Sequence, residues 1–336
     1  MILTITANPS IDMIYHTLSF DAGKTNRETS HKQVVGGKGI NAARVASILS
    51  GQNNNNVVAT GFVGEQNGQL ILDDLANYEV THKFIARPGR TRLCYTIIDQ
   101  NGTKTELNEN GDPVSEDQLQ ELLNMIRSLD ELDAVSINGS LPPNSPIDAY
   151  SQIIQTIREI SPNSKIILDT SGQALRDTIS GNFIPDIIKP NNDELGELTG
   201  EHISENPRDA IAALHNQRLA RIPIVVVSLG STGAAIKVGT ANPQFYVVKT
   251  RSLNAVNTEG AGDSTVGGML FAISQGLGDL RTVKYGMAAG MANVMELKTG
   301  FLQPENVSAY IEDDSQILFQ KNQLNSHALL DLQKVK

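Results

Sequence analysis

Residues 2–6 (ILTIT) form a β-prone run with no turn residue inside it, and they predict a central strand followed by the loop Ala7-Asn8-Pro9-Ser10. Two more β-prone runs, 14–20 and 28–35, flank the polar turn Asp21-Ala22-Gly23-Lys24. A strand pair ahead of any helix departs from simple doubly wound order and predicts a strand excursion out of the main sheet. Ile40, Ala43, Ala46 and Leu49 then recur at helical spacing. A strand at 57–61 and a helix at 70–78 follow the polar loop 52–56, and 91–99 with 103–108 read as a hairpin across Asn101-Gly102. Ser115-x-x-Gln118 is a capping box that opens a helix running to about Leu129.

From there the alternation becomes regular. Strands are predicted at 134–138, 165–169, 186–189 and 224–229, with helices at 146–160, 172–179, 193–198 and 207–219. Strands alternating with helices imply a parallel sheet covered on both faces. Ser228 to Ala234 is a glycine turn that sends the chain back through 235–238. Val266, Met269, Leu270 and Ile273 mark a helix face, and two mostly apolar helices are expected at 279–296 and 304–311. The tail from Ser315, with Leu324, Leu329, Leu330 and Leu332, fits either a terminal helix or a disordered end.

Composition narrows the class. The chain has 336 residues, 40% apolar and 19% charged, which suits a folded α/β protein with a substantial core and rules against a disordered one. The net charge of −10 argues against nucleic acid or an anionic membrane as the main partner, while leaving room for a local basic pocket. A single cysteine, Cys94, excludes an intramolecular disulfide and a multi-cysteine metal site. With no secretory signal and no apolar run long enough to span a bilayer, a cytoplasmic location is expected.

Two glycine-rich segments carry the candidate chemistry. Asn257-Thr258-Glu259-Gly260-Ala261-Gly262-Asp263 reads as a tight turn that opens a helix. A helix start offers unpartnered N–H groups and the positive end of the dipole, so it seats an anion. Asp263 in its first turn is a carboxylate beside that seat, suited to taking a proton from a hydroxyl. The same residues also suit a plain cap with close packing. Gly36-Gly37-Lys38-Gly39-Ile40-Asn41 likewise leads into a helix, with Lys38 as a point charge. Its Gly37-x-Gly39-x-x-Ala42 matches the loose dinucleotide fingerprint, but it does not follow the first strand and no acid ends a strand about twenty residues on. Arg87, Arg90 and Arg92 cluster at the hairpin; arginine forks suit a phosphate, and exposed arginines also serve as ordinary solvated surface.

In their order along the chain these segments resemble the signatures of the ribokinase-like (PfkB) sugar kinases. The match runs through Gly36-Gly37-Lys38-Gly39-x-Asn41-x-Ala43, Asn138-Gly139-Ser140-Leu141-Pro142, Lys189-Pro190-Asn191-x-x-Glu194, Ser228-Leu229-Gly230-x-x-Gly233 and Asn257-Thr258-x-Gly260-Ala261-Gly262-Asp263. Asn138 stands where the family more often has Ser. The resemblance implies a ribokinase-like three-layer α/β sandwich with a mainly parallel central sheet. That kinase domain covers residues 1–312, lid segments at about 12–35 and 87–109 form a small β-sheet, and 313–336 is a C-terminal tail.

It further implies Asp263 as catalytic base and the Gly260, Ala261 and Gly262 backbone as anion hole, with ATP and Mg2+ required. Asp12, Gly36, Gly37, Lys38, Asn41 and Asn138 would meet the sugar. Lys189, Asn191, Ser228, Gly230, Gly233 and Asn293 would flank the nucleotide. Asn191 and Glu194 would act on the metal, directly or through water.

Lys24, Arg27, Lys38 and Arg90 around the lid suit an acceptor that already carries a phosphate. The opening Thr-Ile-Thr-Ala-Asn-Pro-Ser-Ile-Asp and the lid segment 105–109 resemble the 1-phosphofructokinase and tagatose-6-phosphate kinase branch. The 108–111 segment leans to fructose 1-phosphate as acceptor; Thr299-Gly300-Phe301 leans to tagatose 6-phosphate. No Gly-x-x-x-x-Gly-Lys-Ser/Thr is present, which excludes a P-loop kinase. A silent sugar-phosphate sensor on the same fold would lack the base or the anion hole, and both are here. A homodimer through the lid strands is expected from their exposed edges.

Overall fold

The structure is a computed structural model that describes residues 1–52 and 56–322. The chain opens with β1 (Ile2–Thr6), β2 (Ser10–Thr17), β3 (Glu28–Gly36), α1 (Lys38–Leu49), β4 (Val57–Gly64) and α2 (Gln69–Ala76). Next come β5 (Thr81–His82), β6 (Ile85–Arg87), β7 (Arg92–Ile98), β8 (Lys104–Asn108), α3 (Glu116–Arg127), β9 (Ala134–Asn138) and α4 (Ala149–Ile160). After these lie β10 (Lys165–Asp169), α5 (Gly172–Ser180), β11 (Ile187–Ile188), α6 (Asn192–Thr199), α7 (Pro207–Ala213), β12 (Ile224–Ser228) and β13 (Ala234–Val238). The last elements are β14 (Gln244–Thr250), α8 (Ala261–Ser274), α9 (Asp279–Asn293), α10 (Pro304–Glu312) and β15 (Ile317–Lys321).

The main sheet runs β15-β14-β13-β12-β11-β10-β9-β1-β4-β5, with β6 also on β4. From β12 to β5 the pairing is parallel, and β13, β14 and β15 are antiparallel. Strand alternation divides the core into two halves. Leu3 and Ile5 of β1 face the layer of α3 to α7, through Leu122, Ile153, Leu195 and Leu214. Ile2 faces the layer of α1, α2, α8, α9 and α10, through Ile40, Leu75, Val266 and Val283. This is the ribokinase-like α/β arrangement.

The excursion expected from the early strand pair is a second sheet of four strands, β3-β2-β7-β8, in which β2 and β7 are parallel. The Asn101-Gly102 hairpin joins β7 and β8, with Gly102 at φ +81°. The capping box of Ser115 with Gln118 forms, and the structure adds a second, of Asn191 with Glu194.

Several details differ from the pattern. Residues 207–213 alone are α-helical where 207–219 was expected, because Leu214 to Asn216 turn out of the helix before a short 3₁₀ turn at Gln217–Leu219. Strands β5, β6 and β14 were not anticipated, and they are short or only partly buried. At the start of the tail, 317–321 is neither helix nor disordered: it pairs antiparallel with β14 and closes the sheet edge. The four tail leucines, and residues 53–55 of the polar loop, lie outside the described residues.

Candidate active site

The parallel strands all end at one crevice, as an open α/β sheet requires. Thr6 ends β1 and Asn8 lies just beyond it, Gly139 follows β9, Asp169 ends β10 and Lys189 follows β11. The start of α8 projects over this line and separates two cavities. One, of about 460 Å3, is lined by Lys189, Asn191, Ser228, Gly230 and Gly233 together with the α8 residues Ala261 and Gly262. The other, of about 520 Å3, is lined by Asp12, Gly36, Gly37, Lys38, Asn41 and Asp263, with Glu194, Arg92 and Glu259 around them.

Gly260 makes the boundary possible. It sits at φ +79° as the α8 N-cap, and a Cβ there would lie 2.3 Å from Thr299 Cγ2. Only glycine tolerates both. Gly36 is constrained by contact: a Cβ on it would meet Asp12 Oδ2 at 2.3 Å, so the carboxylate lies directly over the backbone before α1.

Asp263 Oδ2 accepts a hydrogen bond from Asn41 Nδ2 at 2.8 Å. The Asp263 carboxyl is pushed up to about 6, first by burial and then by the nearby Asp169, against the pull of Asn41, Lys38 and Lys189. Asp169 itself is buried, and its Oδ1 lies 3.4 Å from Lys38 Nζ and 3.5 Å from Lys189 Nζ. The two lysines thus reach the seam from opposite cavities. Burial works to lower the Lys38 pKa, but Asp169, Glu194 and Asp263 together outweigh it and hold it above its ordinary value. Asp12 is raised by burial, opposed by its bond from Ser10 Oγ at 2.7 Å and by Arg92.

Not every residue anticipated from sequence comes to the crevice. Lys24 and Arg27 lie on the exposed β2–β3 turn, where Lys24 pairs with Asp21, and neither lines either of these two cavities. Arg90 is ion-paired with Glu109 at the rim, and Arg92, one pleat further on, is the hairpin arginine that lines the crevice. The third of that cluster, Arg87, is buried and donates to Asp112 O at 2.6 Å.

Asn138 is sealed beneath the crevice floor, with its Nδ2 bonded to Ile5 O and Ser136 Oγ. Asn293 is buried and holds the turn after α9 through Lys298 O and Phe301 O, while Gly290, Met291 and Val294 line the first cavity in its place. Asn41 is engaged at both ends of its amide, by Asp263 and by Arg44. Asp169 was not singled out from the sequence; its one signal is its position as the last residue of a predicted strand.

A helix start with a carboxylate in its first turn, set between two cavities and two lysines, is an arrangement for moving an anionic group. The pfkB family carbohydrate kinase model matches residues 4–306. The chain belongs to the pfkB family of carbohydrate kinases. A tagatose-6-phosphate kinase of Staphylococcus epidermidis is 33% identical over 306 residues, 91% of this chain and 96% of that protein. The crystal structure of phosphofructokinase-2 from Escherichia coli in complex with fructose-6-phosphate superposes with a TM-score of 0.78 at 26% identity, covering 93% of this chain and 99% of that one. A ribokinase from Thermotoga maritima shares the fold, with a TM-score of 0.72 at 18% identity and coverage of 93% and 99%. This PfkB chain is an ATP-dependent sugar-phosphate kinase. Among its described residues no helix is long and apolar enough to cross a membrane.

Proposed function

We propose that the acceptor is a ketohexose monophosphate and the product its 1,6-bisphosphate, with fructose 1-phosphate as the first candidate. The observation that carries this is the pairing of cation and base in one cavity: Arg92 and Lys38 line the same space as Asp263. A sugar that presents a hydroxyl to Asp263 in this cavity would share it with the arginine that could take its resident phosphate. The lid segment 108–111 borders this cavity, since Asn110 O accepts from Asn8 Nδ2 at 2.9 Å and Asn8 lines the cavity. Tagatose 6-phosphate is the second reading, favoured by the tagatose-6-phosphate kinase relatives.

In this reading Asp263, held through one oxygen by Asn41, takes the proton of the attacking hydroxyl through the other. The N–H groups of the Gly260-Ala261-Gly262 segment receive the transferred phosphoryl group, and Lys38 and Lys189 flank its path from either cavity. ATP would lie along Ser228, Gly230 and Gly233, with its base toward Met291 and Val294.

Among the described residues no three His, Cys, Asp or Glu side chains cluster to hold a metal. Mg2+ in kinases rests on one or two carboxylates, water and the substrate's phosphates, and the residues present fit that sparse demand. Asp169 Oδ2 is buried without a partner. Glu194, whose Oε2 caps Asn191 N, retains its other oxygen. Mg2+ would supply charge neutralisation on the phosphates. We also assign a homodimer through the lid: its edge strand β8 is exposed throughout and carries Leu107 at 69% exposure. A gel-filtration mass of one chain would remove that assignment.

Initial rates with MgATP against fructose 1-phosphate, tagatose 6-phosphate, fructose 6-phosphate and free fructose test the proposal. Turnover of fructose 1-phosphate above the others is expected. Preference for tagatose 6-phosphate would install the second reading, and preference for free fructose would overturn the role given to Arg92 and Lys38.

A further inference from the structure

Arg44, on α1, is completely buried. A guanidinium so placed needs all its charge and donors answered. Its Nε donates to Asp74 Oδ2 at 2.7 Å, its Nη2 lies against the same carboxylate and donates to Val35 O at 3.2 Å, and the Tyr78 ring lies 5.6 Å beneath it. The remaining arm, Nη1, donates to Asn41 Oδ1 at 2.7 Å.

That last bond has a consequence at the reaction centre. A guanidinium carries donors only, so the oxygen of the Asn41 amide must face it. The NH2 end is thereby turned to Asp263 Oδ2, 2.8 Å away. Gly300 closes the other side, for a Cβ there would lie 2.7 Å from Asn41 Oδ1 and 2.9 Å from its Cα. The amide is therefore oriented from one end and confined from the side.

We propose that Arg44 is a positioning residue for the phosphoryl-transfer base: it dictates which end of the Asn41 amide faces Asp263. The inference rests on the reading of Asp263 as that base. With Arg44 in place the carboxylate meets a donor, which favours its ionised form and fixes Oδ2, leaving the other oxygen for the acceptor hydroxyl. With the amide reversed, two oxygens would face each other and the carboxyl would hold its proton. The charged groups around Asp263 are Asp169 from β10, Lys38 from α1 and Lys189 after β11. Around Arg44 they are Asp74 from α2 and, at longer range, Asp12 from β2. Asp74 answers the charge of Arg44, so its influence on Asp263 runs through the amide.

The test is a double-mutant cycle read by pH profile and by separate kcat and KM. Arg44→Lys keeps a cation against Asp74, but one ammonium does not span both Asp74 and Asn41 Oδ1. Expected are a kcat lower by about 10- to 100-fold, an unchanged KM for ATP and an acid limb of kcat/KM moved upward. In an Asn41→Ala background the same substitution should cost nothing further, because the two residues act as one unit.

Losses that multiply across the cycle would overturn the proposal. So would a variant that lowers only Tm and leaves kcat and the acid limb in place. If Arg44→Lys does not fold, Arg44→Met/Asp74→Leu removes both charges together, and the same outcomes apply. Asp263→Asn is measured alongside. If it retains turnover, the base reading fails and this inference with it. If it is inactive while the cycle is multiplicative, only the role of Arg44 fails.

Discussion

On one side of the α8 start the cavity walls include Val226, Leu253, Met287, Met291 and Val294; on the other they carry Asp12, Lys32, Lys38, Arg92, Glu194 and Asp263. The first set would suit a flat ring held by area alone, with polar contacts confined to the strand ends and the α8 backbone. The second set offers a donor or a charge in nearly every direction, which is what discrimination among hydroxyls and a phosphate needs. One helix N-terminus borders both. Changes on the two sides should therefore move different kinetic constants, and changes at the seam should move kcat.

The largest effect is expected at the seam. Asp263→Asn should lower kcat by about 10²- to 10⁴-fold with little change in KM for ATP, as steady-state kinetics would show. The same substitution should stabilise the fold. Burial raises the carboxyl from 3.8 to about 6, so the folded chain binds this proton more tightly than the unfolded chain. Its contribution to stability falls as pH rises between those two values and stays low above them. Asp263→Asn removes that cost, about 1–3 kcal/mol at pH 8 and almost none near pH 4, readable as a Tm difference at the two pH values. The wild-type kcat/KM should correspondingly fall as pH drops through about 6. A Tm gain equal at both pH values would deny the raised pKa.

Next come the walls. Arg92→Ala should raise KM for the phosphorylated acceptor by about 10- to 100-fold, the worth of a charge-assisted hydrogen bond, and leave KM for ATP in place. Met291→Glu should do the reverse, because a carboxylate facing an apolar slot opposes a nucleotide. If either substitution moved both constants equally, the division of labour between the cavities would be wrong.

The smallest effect concerns the small sheet. Lys104 at the start of β8 bonds Glu259 at 2.6 Å, tying the small sheet to the residue before Gly260. That bond, ahead of the general attraction of Glu259, raises the Lys104 pKa. Both partners are about half exposed, so the link is worth less than about 1 kcal/mol. Lys104→Ala should change kcat/KM no more than a few-fold, and the change should vanish at high salt. A large, salt-resistant loss would mean that the contact organises the α8 start.

What the chain announced in its sequence was local. The buried run 2–6, the Ser115 capping box, the Asn101-Gly102 hairpin and the glycine entry to α8 all depend on residues within about a turn of one another, where backbone sterics and nearest hydrogen bonds decide. Order along the chain added the family, and with it the fold.

Long-range pairing decided the rest. β15 is a partly exposed edge strand that forms by pairing with β14 across more than sixty residues of chain, while β14 is itself held on its other side by β13. Arg90 and Arg92 are chemically identical, and only their placement, one before β7 and one at its first residue, sends one to Glu109 at the rim and the other to the crevice. Asn41 meets Asp263 across 222 positions and Lys38 meets Asp169 across 131. A buried charge must find an opposite charge or a hydrogen bond wherever the fold places one. Composition and spacing therefore pointed to the α8 start as a candidate anion site, and the packing of α1, β10 and α8 determined which side chains surround Asp263.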